Sequence, residues 1–192
     1  MRGFFFVSAL LFSLGHVAAQ EPKPGPPRSV TVPAIKESKL NTGLTVAVIE
    51  RKSVPTVSVQ LVSRNGANVE NRTKAGLANL TAYLLTKGTK TRSATQIAEE
   101  IEFLGASIYS FGGWQNSNAG VSAMTDKFEA AMAIFADAVL NPAFSEDELK
   151  LARSQSLDEL TYNLTQPGFL AGYVASRYSY GEHPSGGTPA SI

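Results

Sequence analysis

Between Lys74 and Ile108 the chain reads KAGLANLTAYLLTKGTKTRSATQIAEEIEFLGASI, and two helical segments follow one another within it. Leu77, Leu80 and Leu84 recur at the three-to-four-residue spacing that lines one face of a helix. Asn71 or Thr73 is placed to cap its start, and Gly88 to end it. The second segment opens at Ser93, which stands in capping-box spacing with Gln96. It carries Ile97, Ile101 and Leu104 on one face and stops at Gly105.

On either side of this pair the period falls to two. Upstream, GLTVAVIE from Gly43 alternates Leu44, Val46 and Val48, and TVSVQLVS from Thr56 alternates Val57, Val59 and Leu61. Two strands joined through RKSVP are expected. Downstream, ASIYSFGGWQNSNAGVSAM alternates again, with Gly112 and Gly113 supplying the turn between two further strands. Trp114 beside that turn is expected to pack against the core. Asp126 then opens a helix with Phe128, Met132, Phe135 and Val139 on one face, ended by Asn141 and Pro142. Ser145 and Glu148, again in capping-box spacing, start a long helix through Leu149, Leu157, Leu160 and Leu164, closed by Pro167. A shorter helix from Phe169 to Tyr178 follows. This order predicts an α+β fold, a mostly antiparallel sheet covered by helices in a two-layer sandwich. The carboxyl end, YGEHPSGGTPASI, is rich in turn residues, so the sheet is expected to be incomplete at that end.

The amino-terminal residues read differently. MRGFFFVSALLFSLGHVAAQ places Arg2 before an apolar run from Phe4 to Leu14, followed by the small residues Val17, Ala18 and Ala19. That order is a secretory signal peptide over 1–19, cleaved after Ala19, and the run is short for a membrane span. A periplasmic or secreted protein, free of the membrane after cleavage, is the expectation. Residues 20–33 form a proline-rich linker, and 34–192 the folded domain. A formal net charge of +1 without a long Lys/Arg run provides no footprint for nucleic acid. With no cysteine in the chain, thiolate nucleophiles and thiolate zinc sites are excluded.

The blocks NTGLTVAVIE, PTVSVQLVSRNGANVE, KAGLANLTAYLLTKGTKTRSATQIAEEIEFLGASI, LNPAFSEDELKLAR and YGEHPSGGTPAS, in this order and spacing, resemble the amino-terminal domain of the insulinase-like (pitrilysin, inverzincin) metallopeptidases. In active members the first helix carries H-x-x-E-H. Two His four residues apart share a helical face and bind one Zn²⁺, and the Glu activates the metal-bound water. The resemblance places Asn79, Ala82 and Tyr83 at those three positions. An amide, a methyl group and a phenol are poor substitutes for ligand, base and ligand. A third family ligand, a Glu on a later helix, corresponds to Glu159, and a second family Glu falls at Ala152. The expectation is a degenerate motif with no catalytic residue, no metal and no cofactor of its own. Neither histidine restores a site: His16 lies in the signal peptide, and His183 stands in a turn-rich segment with only Glu182 beside it. His183 reads as a surface or hydrogen-bonding histidine.

What the resemblance implies is a zinc-less subunit of a bacterial processing-peptidase-like heterodimer. Its partner would be a zinc-bearing homologous peptidase subunit, and the two would share a chamber that holds a peptide substrate. Two other readings stay open: a peptide-binding or structural protein without a catalytic partner, and an active zinc metalloendopeptidase whose ligands lie elsewhere.

Overall fold

The computed structural model describes residue 25 and residues 33–181. Residues 1–19, expected as a signal peptide, most of residues 20–33, expected as a linker, and His16, Glu182 and His183 therefore lie outside the described residues. The chain divides into two compact units, 1–51 and 52–192.

In the first unit, β1 (Ile35–Lys39) and β2 (Thr45–Ile49) form an antiparallel hairpin, with Ile35 opposite Ile49 and Lys39 opposite Thr45. Its loop closes through Leu40, whose amide donates to the carbonyl of Leu44, and through Gly43 at φ +89°. Only glycine adopts that conformation at no steric cost. The strand β1 was not foreseen, because IKESK carries a single apolar residue and so lacks the alternation by which a strand is recognised.

The second unit contains β3 (Thr56–Ser63), two 3-10 turns (Ala67–Val69 and Arg72–Lys74), α1 (Leu77–Leu85), α2 (Ala94–Phe103), β4 (Ser107–Gly112), β5 (Ser117–Met124), α3 (Phe128–Leu140), α4 (Glu146–Asn163) and α5 (Pro167–Tyr180). Its sheet is antiparallel in the order β3-β5-β4. Thus β2 and β3, neighbours in sequence, belong to different sheets: β2 pairs with β1, and β3 with β5.

The period-two pattern explains the packing. On the sheet's inner face Val59 lies opposite Val121, and Val121 opposite Ile108, so the three strands bring β-branched side chains into one row. Ile97 and Ile101 of α2 and Ala131, Ile134 and Phe135 of α3 complete this core. Val121 is fully buried. The boundaries of α2 follow its capping signals: Ser93 and Gln96 make its reciprocal capping box, and Gly105 at φ +59° follows its last turn.

Behind this core, the loop between α1 and α2 is tied to the end of α3. Thr89 bridges to Pro142, and Arg92 donates to Glu100 at 3.0 Å and to Asp137 at 2.7 Å. Asp137 also accepts from Thr91 at 3.0 Å and from the Asn141 side chain at 3.1 Å. The Thr89 hydroxyl first, then Asn141, Thr91 and Arg92, stabilise the carboxylate against the opposing effect of desolvation. They lower its pKa to about 2.

Three expectations are corrected. Neither Asn71 nor Thr73 caps α1: Asn71 precedes and Thr73 lies within the 3-10 turn Arg72–Lys74, and the helix begins after Gly76 at φ +89°. The long helix through Leu149, Leu157 and Leu160 forms as expected, as α4, with Leu149 and Leu157 exposed and Ala152 its buried residue. Pro167 does not close α4 but opens α5 at its first turn, where its missing N–H costs nothing. Trp114 is exposed at the β4–β5 turn rather than packed in the core.

Candidate functional site

The helix α1 holds three of the four motif positions, so its anchoring comes first. At its start, the Glu70 carboxylate takes the place of an N-cap side chain, accepting from the amides of Gly76 at 2.7 Å and Ala78 at 2.5 Å. Two otherwise orphaned donors are satisfied, and a negative charge sits at the positive end of the helix dipole. Further along, the Ser110 hydroxyl of β4 donates to the carbonyl of Ala82. Gly112 of β4 lies so close that a Cβ there would come within 2.6 Å of the Ala78 carbonyl and the Asn79 amide nitrogen. This close approach requires glycine.

Around that frame the motif positions separate by environment. Ala82 is 7% exposed and faces the sheet. Asn79 and Tyr83, four residues apart, share the exposed face of α1. The Tyr83 hydroxyl donates to Oε1 of Gln155 on α4 at 3.3 Å, and the Lys87 ammonium lies 4.6 Å from the centre of its ring. Lys87 is one turn on from Tyr83, within cation–π reach. Glu159 is exposed on α4, one turn after Gln155, and Ala152, 3% exposed, is nearly one turn before it. The fold therefore sets the α1 positions against the helix that carries Ala152 and Glu159.

The chemistry of this donor set does not fit zinc. Of the four side chains, only Glu159 offers a ligand that zinc commonly takes, whereas a catalytic zinc needs three protein ligands. Ala82 cannot take a proton, and the Tyr83 oxygen is already engaged with Gln155. Among the described residues no group of three His, Asp or Glu side chains gathers elsewhere. A cavity of about 570 Å³ opens along α1, lined by Leu61, Glu70, Leu77, Thr81, Leu85 and the motif position Ala82, whereas Asn79 and Tyr83 do not line it. Among the described residues no helix is long and apolar enough to cross a membrane.

Sequence reasoning missed Glu70, Lys87 and Gln155. Lys87 carried a local signal, its spacing of four from Tyr83. Glu70 and Gln155 carried none, since one acts across a 3-10 turn and the other across a helix pair.

The architecture of an antiparallel sheet covered by helices, with α1 set against α4, can be compared with that of known proteins. The family model for Insulinase (Peptidase family M16) matches residues 45–169, and the chain belongs to that family. An uncharacterized zinc protease of Rickettsia bellii is 32% identical over 133 residues, covering 69% of this chain and 32% of that protein. The cytochrome b-c1 complex subunit 1, mitochondrial, of Bos taurus is 28% identical over 135 residues, covering 70% of this chain and 28% of that protein. The match spans about a third of the length of the first curated relatives. Among solved structures, a peptidase M16 inactive domain from Pseudomonas fluorescens superposes with a TM-score of 0.76 at 26% identity, covering 81% of this chain and 38% of that one. A protease from Helicobacter pylori shares the fold, with a TM-score of 0.75 at 19% identity over 84% of this chain and 39% of that one.

Proposed function

We propose that this chain is an exported, non-catalytic member of the insulinase family that serves as the partner of a zinc-bearing homologous subunit and helps to wall a peptide-binding chamber. The observation that carries the reading is the donor set on α1: Asn79, Ala82 and Tyr83 stand where the resemblance places ligand, base and ligand. No water activation can be built from an amide, a methyl group and a phenol whose hydroxyl is bonded to Gln155. The inactive domain from Pseudomonas fluorescens, similar over most of this chain, supports the same reading.

The sheet supports a contribution to substrate holding. Among the described residues β4 pairs only with β5, and its other edge is unpaired beside α1. An extended peptide added there would receive main-chain hydrogen bonds without any catalytic group. Export rests on the signal-peptide pattern of residues 1–19, and cleavage after Ala19 would leave Gln20 as the first residue.

The test is reconstitution. The mature chain, assayed on peptide substrates alone and with a zinc-bearing homologous subunit, should hydrolyse peptide only in the mixture. Its own zinc content after gel filtration should lie below about a tenth of an ion per chain. Stoichiometric zinc and chelator-sensitive hydrolysis by the chain alone would overturn the proposal.

A further inference from the structure

The two helices that the resemblance places around a metal are joined here by side chains. We propose that Tyr83 is a clasp: its phenol replaces the metal as the cross-link between α1 and α4, and fixes the course of α4 without an ion. The inference rests on the reading of α1 as lacking zinc ligands, and goes beyond it by assigning a role to the residue that took the ligand position.

Three observations converge on Tyr83. Its hydroxyl donates to Gln155 across the helix pair at 3.3 Å. Its ring is held from the α1 side by Lys87, whose ammonium lies 4.6 Å from the ring centre, which limits the rotamers open to the phenol. And α4 has few other means of attachment. It packs chiefly on α1, its leucines at 149, 151 and 157 are exposed, and Ala152 is its only buried residue. An alanine contributes little apolar area and, beside it, only Glu148, Leu160 and Asn163 of this 18-residue helix are half-buried, so directional ties add to a thin apolar contact. Gln155 stands three residues after Ala152, on the turn facing α1, and Glu159 follows one turn later. A bond at Gln155 therefore extends the contact from Ala152 toward Glu159 and sets the direction in which the rest of α4 leaves the domain.

A metal and a phenol–amide bond do this job with different consequences. The metal's grip is removed by a chelator and depends on ligand protonation. The bond between Tyr83 and Gln155 joins two neutral groups, so the position of α4 should not respond to chelators.

Hydrogen exchange of the full chain, followed over the amides of α4, tests the clasp. Wild type should exchange identically with and without a chelator. Tyr83→Phe keeps the ring and its contact with Lys87 but removes the hydroxyl, and should speed α4 exchange by about two- to fivefold while leaving the α2 and α3 amides unchanged. Gln155→Leu should have the same effect, and the double variant should exchange no faster than either single one, because both remove one bond. Exchange in Tyr83→Phe equal to wild type, or full additivity in the double variant, would overturn the clasp. Faster α4 exchange on adding chelator to wild type would instead overturn the zinc-less reading. The two failures are thus distinguishable.

Discussion

Replacing Glu70 by Ala removes the acceptor on which the first turn of α1 depends. The carboxylate oxygens accept from the amides of Gly76 at 2.7 Å and Ala78 at 2.5 Å, and no side chain of the N-cap residue, Gly76, can take over. Loss of a helix-capping acceptor costs about 1 kcal/mol. Loss of a negative charge at a helix N-terminus costs a further ~0.5–1 kcal/mol. Glu70 is half-buried, so water replaces part of what is lost, and the expected total is roughly 2 kcal/mol for Glu70→Ala. Glu70→Gln keeps one acceptor oxygen and loses the charge, so it should cost about half as much, ~1 kcal/mol. Urea unfolding is the assay, followed by the fluorescence of Trp114, the chain's single tryptophan. Its carbonyl accepts from the amide of Asn68, two residues before Glu70, so it reports on this part of the fold. With a urea slope of about 2 kcal/mol/M, the midpoint for Glu70→Ala should fall by roughly 1 M at unchanged slope. A midpoint equal to wild type, or Gln as damaging as Ala, would refute the argument, because the first denies the cap and the second denies the hydrogen bond that Gln retains.

Two further outcomes follow from the same frame. Gly112→Ala would set a methyl group 2.6 Å from the backbone of Ala78, where no side chain can move aside; a loss of about 3 kcal/mol or more is expected, read as a lowered melting temperature. For Asp137 the sign is that of a depressed carboxylate: its folded pKa of about 2 lies below the ordinary 3.8, so its stabilising effect is present above 3.8 and fades as the pH falls through 2. The melting-temperature gap between wild type and Asp137→Asn should therefore be full near neutral pH and shrink toward pH 2, and a gap that stays constant over this range would contradict the assignment.

Some of this was local and therefore legible in the order of residues alone. The switch from period two to period 3.6 and back located β3, α1, α2, β4 and β5, because alternation and helical spacing are properties of a few consecutive residues. Ser93 with Gln96, and Asn141 with Pro142, marked helix ends for the same reason. The proposal that Asn79, Ala82 and Tyr83 stand at the ligand and base positions also rests on the sequence, since the resemblance compares residues position by position. What only the tertiary structure decided were the relations between distant segments. The partner of β3 is β5, not β2, because strand pairing is set by long-range burial rather than by adjacency. The cap of α1 is Glu70, beyond the usual capping distance, because a 3-10 turn folds it back onto the helix. The meeting of Tyr83 with Gln155 depends on how α4 crosses α1, a geometry that neither helix encodes alone. Residue types are thus written in the sequence, whereas the contacts between distant segments are written in the packing.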